Sequence, residues 1–140
     1  MADDDIVSFA KKVEGKNWSY SQANRANFGD IGKPADNGSA DCSSFVWYVL
    51  KSCGYQTSDS PWTTFSVETY LNRISAEYTK AGDIIINNDN PHTGILLEKW
   101  KGPDTKVINC IDRSKAVCEG TYQNMFGNSN PSTGYYQAKK

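Results

Sequence analysis

A thiol that attacks a carbonyl carbon needs surroundings that favour its thiolate and a base that takes its proton. The 140-residue chain offers one candidate for each task. Cys42 stands in Asp41-Cys42-Ser43-Ser44-Phe45-Val46, directly after a residue suited to cap a helix. Its sulfur would then lie in a first turn, where amide groups are unpaired and positive partial charge collects. His92, the sole histidine, stands in Pro91-His92-Thr93-Gly94-Ile95-Leu96-Leu97, the opening of a β-type run. Taken singly, a cysteine on an apolar stripe is more often core, and a histidine after Asn-Pro is more often a solvated loop residue. Found together in these contexts, they are a candidate nucleophile and its base, which points to amide-bond chemistry.

The elements that must carry them are legible from hydrophobic spacing. Ile6, Phe9, Ala10 and Val13 predict a helix over Asp3 to Val13, which Gly15 can terminate. From Lys16 to Ala40 the pattern is lost, and Gly32-Lys33-Pro34 and Asp36-Asn37-Gly38 read as turns in a long loop. A second helix follows Asp41, with Cys42, Phe45 or Val46, Val49 and Cys53 on its inner face and Gly54 at its end; Cys53 reads as core. Ser60-Pro61 looks like a further helix start, followed by Trp62, Phe65, Tyr70 and Leu71. After Lys80 the character turns to β. Asp83-Ile84-Ile85-Ile86, Thr93 to Trp100, Lys106 to Ile111, about Lys115 to Cys118, and Tyr135 to Ala138 are separated by Asn-, Gly- and Pro-rich breakers. Helices first and strands after predict an α+β layout, and the absence of any linker-like stretch predicts a single domain over residues 1–140.

Composition narrows the function classes. Fifteen basic and 16 acidic residues give a net charge of −1, with the basic ones scattered, so the footprint of a nucleic-acid or anionic-membrane binder is missing. No run approaches the roughly 20 apolar residues that span a bilayer. The opening Met1-Ala2-Asp3-Asp4-Asp5 is the reverse of a basic-then-apolar secretory signal, so synthesis in the cytosol is expected. Cys42, Cys53, Cys110 and Cys118 contain no C-x-x-C and have one histidine to join them, so neither a structural metal nor any other cofactor is expected. Cys110 and Cys118 are symmetric about Ser114 and could face each other across a hairpin, although a cytosolic origin favours reduced thiols. Asp30, Asp36, Asn87 and Asp89 are better explained by turn chemistry than as calcium ligands. Trp47, Tyr48, Trp62 and Trp100 could line a peptide or sugar groove, though such residues are more often core.

Taken together, Asp41-Cys42-Ser43-Ser44-Phe45-Val46, Ala81-Gly82-Asp83-Ile84, His92-Thr93-Gly94-Ile95, Val107-Ile108-Asn109-Cys110 and the upstream Trp18-Ser19-Tyr20 span most of the chain. In these motifs the sequence resembles the NlpC-type cell-wall cysteine peptidases, papain-like α+β domains, and in particular the branch found as catalytic domains of phage endolysins. The resemblance implies N-terminal helices packed on a C-terminal antiparallel sheet of about five strands. It also implies a residue on the strand beside the histidine that orients the imidazole; the matching residue is Asn109, where many relatives carry histidine, and Asp112 is the runner-up on the opposite strand face. Tyr20 matches a tyrosine near the thiolate that helps hold the substrate carbonyl or the oxyanion. Asp41, Ser43 and Ser44 match positions flanking the nucleophile, with Ser44 where many relatives have glycine; helix capping is their alternative role.

The implied substrate is the peptide stem of bacterial peptidoglycan. The bond is the γ-D-glutamyl (or D-isoglutaminyl) to diamino-acid linkage of an endopeptidase, the commoner activity in the family, or the muramoyl to L-alanine linkage of an N-acetylmuramoyl-L-alanine amidase. A catalytically silent wall-binding module would keep the fold but has no need of the cysteine, the histidine and a third residue. An acyltransferase on the same scaffold would release no new amine ends. The endolysin resemblance further implies a monomer made in the cytoplasm, acting at the cell wall after release, with room for a separate wall-binding domain.

Overall fold

The computed structural model describes residues 2–64, 66–89, 91–127 and 133–140, with no side-chain description for residues 2–4, 67 and 68. Helix α1 (Ala2–Glu14) buries Ile6, Phe9, Ala10 and Val13 along one stripe, as their spacing requires. Helix α2 (Cys42–Ser52) is different: every residue from Cys42 to Leu50 is buried. A helix apolar on all sides must be covered on all sides. Here α1 and a small sheet flank it, and a large sheet lies beneath.

The small sheet is a correction to the loop expected between Lys16 and Ala40. Strands β1 (Ser19–Tyr20), β2 (Ala26–Asp30) and β3 (Lys33–Ala40) form it in the order β1-β3-β2, with β1 parallel and β2 antiparallel to β3. Turn-forming residues hide these strands because one face of the sheet is solvated and β2 is bulged between Asn27 and Gly29. Aromatic packing holds the sheet down: Phe28 stacks on Trp18 at 5.8 Å and on Tyr48 of α2 at 4.7 Å between ring centroids.

The helix expected from Ser60-Pro61 does not form. Arg25 takes the backbone carbonyls of Pro61 and Trp62, which a helix would need for itself, and the next regular elements are a 3₁₀ turn (Val67–Tyr70) and strand β4 (Leu71–Ile74). Phe65, part of that expectation, lies outside the described residues.

The large sheet comprises β4, β5 (Ile84–Asn87), β6 (His92–Leu96), β7 (Lys106–Cys110), β8 (Val117–Thr121) and β9 (Thr133–Ala138) in the order β4-β9-β5-β6-β7-β8, all antiparallel. It has six strands where about five were expected, because β4 falls in the stretch read as helix. The run Ile84-Ile85-Ile86 is apolar without alternation because both faces of the sheet are covered. Ile84, Ile86, Ile95, Ile108 and Tyr136 join the core against α1 and α2. Ile85, Leu96 and Val107 pack on the other face against Tyr122 and Phe126 of a short helix, α3 (Tyr122–Phe126). Trp47, Tyr48 and Trp62 are buried core residues, and Trp100 packs on Tyr122 and Tyr135, so these aromatics build the interior rather than a groove.

The hairpin β7–β8 pairs Asn109 with Cys118 and Cys110 with Val117. Cys110 and Cys118 are therefore out of step by one residue, which turns them to opposite faces. All four cysteines are free thiols.

Candidate active site

The N-terminus of α2 is built by its cap. Asp41 Oδ1 accepts from the Ser44 amide at 2.9 Å, and Ser44 Oγ accepts in return from the Asp41 amide at 2.9 Å, a reciprocal capping box. This fixes Cys42 as the first helical residue. Its sulfur faces a cleft of about 360 Å³ shared with Tyr20, Asp41, Ser43, Thr64 and His92. A second hollow adjoins it past Tyr20 and His92, where Ile111, Asp112 and Met125 line the wall.

His92 opens β6, on the face that carries α3. Its ring lies 4.4 Å from the Phe126 ring, and its Nε2 is 2.7 Å from Asn109 Oδ1. The direction of that bond follows from the amide's other half. Asn109 Nδ2 donates to the Cys118 carbonyl at 3.0 Å and contacts Met125 Sδ at 3.3 Å, so Oδ1 must be the atom turned to the imidazole. Nε2 then carries the proton and donates it, which leaves Nδ1 as the basic nitrogen. Asn109 is wholly buried, and Gly94 makes room for it. A Cβ on Gly94 would come within 3.1 Å of the Asn109 Cβ and 3.3 Å of the Phe126 ring. Asp112, the alternative orienting residue, lies beyond the end of β7, exposed on the adjoining hollow.

Burial pushes the Cys42 thiol above its ordinary range. The Thr64 hydroxyl, 3.5 Å from the sulfur, and the Thr93 amide work the other way, and the Asp41 charge adds to the rise. Burial likewise depresses the His92 imidazole, against the opposing effect of Asn109. Burial thus acts against an isolated thiolate and against an isolated imidazolium.

Of the other residues singled out in the sequence, Tyr20 sits at the cleft, its hydroxyl accepting from Gln22 Nε2 at 3.2 Å and burial raising its phenol. Ser43 lines the cleft and donates to Asp41 Oδ1 at 3.2 Å. Ser44 takes the capping role: it is fully buried, its hydroxyl is engaged with the Asp41 backbone, and it does not line the cleft. Asp41 borders the cleft, but its carboxylate is engaged by the cap and by Arg25, whose Nε and Nη2 reach it at 2.7 and 3.1 Å. Burial raises that carboxyl, and Arg25 together with the Ser44 amide and hydroxyl more than offsets the rise, leaving it below its ordinary value. Arg25 and Thr64 escaped the sequence reading. Neither lies in a motif, and each matters only through chain segments brought together by folding. Asn87 Oδ1 accepts from the Asp89 amide at 3.0 Å, in keeping with turn chemistry, whereas Asp36 lies in β3 and pairs with Lys16 at 3.0 Å. Among the described residues no group of His, Cys, Asp or Glu is arranged to hold a metal ion, and no helix is long and apolar enough to cross a membrane.

A capped helix presenting a cysteine, packed across an antiparallel sheet that presents a histidine backed by an amide, defines the papain-like class of α+β fold. The NlpC/P60 family model matches residues 15–139, and the chain belongs to that family, whose members are cell-wall hydrolases and peptidases. Two solved structures share the fold. One, described as similar to a lipoprotein of the NLP/P60 family, from Staphylococcus aureus, superposes with a TM-score of 0.61 at 18% identity, covering 99% of this chain and 42% of that one. The other, the P60 domain of an antigen from M. avium subspecies paratuberculosis, gives a TM-score of 0.64 at 14% identity, covering 99% of this chain and 93% of that one. The chain thus spans less than half of the staphylococcal protein. Comparison with curated proteins gives no match.

Proposed function

We propose that the protein is a peptidoglycan hydrolase that cleaves an amide bond in the cell-wall peptide stem through Cys42, His92 and Asn109. The observation that carries this reading is the 2.7 Å contact between His92 Nε2 and Asn109 Oδ1, with Cys42 and His92 on one accessible cleft. Cys42 attacks the amide carbonyl as its proton passes to His92 Nδ1. The Cys42 backbone amide, with Tyr20 beside it, receives the developing oxyanion. His92 then returns the proton to the leaving amine, which departs and leaves a thioester. Water, deprotonated by His92, attacks the thioester carbonyl, and Cys42 leaves with the proton. Asn109 holds the ring in the tautomer these transfers need. The chemistry asks for no cofactor.

The bond favoured is γ-D-glutamyl (or D-isoglutaminyl) to diamino acid, the commoner activity in the family; the muramoyl to L-alanine bond is the alternative. A phage endolysin, made in the cytoplasm and acting at the wall as a single catalytic domain joined to a separate wall-binding domain, fits a chain of net charge −1 whose basic residues are scattered along the sequence. Mass spectrometry of digested wall tests the bond and the thiol mechanism. New amino termini on the diamino acid support the endopeptidase, free lactyl groups with L-alanine termini support the amidase, and no release that depends on Cys42 removes the proposal.

A further inference from the structure

Arg25, in the connection between β1 and β2, sits behind the nucleophile with its guanidinium forked between two segments. One side grips the cap of α2, with Nε and Nη2 on the Asp41 carboxylate and Nη2 also 3.0 Å from Ser43 Oγ. The other side grips the segment before Thr64, with Nη1 on the Pro61 carbonyl at 3.2 Å and Nη2 on the Trp62 carbonyl. Trp62 closes the same bridge from its end, its indole N–H donating to the Ser43 carbonyl at 3.0 Å. Two residues beyond Trp62, the Thr64 hydroxyl meets Cys42 Sγ at 3.5 Å. The segment from 61 to 64 forms no helix or strand of its own, and these bonds act with the burial of Trp62 in the core to hold it against α2.

We propose that Arg25 is a positioning residue for the nucleophile: it clamps the segment bearing Thr64 to the N-terminus of α2 and so sets the hydroxyl that stabilises the Cys42 thiolate. It does so without touching the sulfur. A planar fork with donors on both edges suits two acceptor groups at once, which a lysine ammonium cannot reproduce although it keeps the charge. The role rests on Cys42 being the nucleophile, but the geometry of the clamp does not depend on which wall bond is cut.

Arg25→Lys and Thr64→Val, alone and combined, test this in two assays. One is the pH dependence of alkylation at Cys42, read by peptide mass spectrometry; the other is kcat and KM on wall peptides. Because lysine preserves the charge near Asp41, a shift in Arg25→Lys reports lost geometry. The expected result is an alkylation midpoint displaced to higher pH in both single variants, no further displacement in the double variant, and a fall in kcat of about tenfold or more with KM changed far less. A wild-type midpoint in Arg25→Lys, or a shift that adds in full to that of Thr64→Val, overturns the proposal, even if melting temperature and activity fall. Should wild-type protein cleave no wall peptide, the substrate reading fails, while the alkylation midpoints still decide on Arg25.

Discussion

Asn109 reaches His92 across the strand pair β6–β7, its Oδ1 2.7 Å from Nε2, and is itself tied to the neighbouring strand through the Cys118 carbonyl. The imidazole is thus oriented by a side chain that has no freedom of its own. Asn109→Ala should lower kcat by about 100-fold while KM holds, since the ring loses its tautomer and its tilt. Asn109→Asp should do something different. A carboxylate at that distance favours the imidazolium, so the acid limb of the pH–rate profile should move to higher pH. An unmoved acid limb in that variant would sever the link between Asn109 and the base.

The proton inventory of His92 also predicts stability. Burial holds its folded value below the ordinary 6.5. Between the two values the unfolded chain binds a proton that the folded chain refuses, so the contribution of His92 is intact above 6.5 and is lost as pH falls toward the folded value. Thermal melts from pH 7.5 to 5 should show a smaller acid-side decline in His92→Gln than in wild type. Equal declines would show that the ring is solvated.

Glu14 should act with the opposite sign. Burial, then the hydrogen bond and charge of Glu119, raise its carboxyl from 4.5 to about 7, with Lys115 and Lys11 opposing. Here the folded chain holds the extra proton, so stability is greatest below 4.5 and declines as pH rises to about 7. Glu119→Gln should raise the melting temperature at pH 8 and leave it almost unchanged at pH 4. A lower melting temperature at pH 8 would contradict the repulsion.

Gly94→Ala places a methyl group 3.1 Å from the Asn109 Cβ and from the Ile108 carbonyl. The backbone cannot give way without disturbing the β6–β7 pairing, so a loss of about 1–3 kcal/mol is expected. The displacement falls on Asn109, so activity should drop further than stability accounts for. Denaturant unfolding beside kinetics separates the two, and a variant with wild-type rates would mean that the site absorbs the shift.

Cys42→Ala should keep the fold, because the capping box runs through Asp41 and Ser44 and needs no sulfur, yet lose turnover altogether. Clearing of a cell-wall suspension measures it, with circular dichroism as the control. Unchanged clearing would end the thiol mechanism.

Much of this was legible in the sequence, and the reasons are local. Asp41 followed by an apolar run indicated a capped helix with Cys42 in its first turn, and the β-branched Ile84-Ile85-Ile86, followed by a breaker-rich turn, read as a strand. The hairpin register proved less legible. Symmetry about Ser114 suggested that Cys110 faces Cys118, whereas the turn shifts the pairing by one and sets Asn109 opposite Cys118 instead. What could not be read was everything held by distant partners. Lys16 to Ala40 looked like loop because its strands are anchored by Trp18 and Phe28 on Tyr48, and Ser60-Pro61 looked like a helix start because nothing nearby reveals that Arg25 takes the carbonyls.

The placement of β9 between β4 and β5 bears on how the large sheet is closed. Strands β5 to β8, which carry His92 and Asn109, pair with one another directly, whereas β4 reaches them only through residues 133–138. β9 is thus the seam of the large sheet, and a chain interrupted before it would leave β4, and the segment leading into it, without a strand to join.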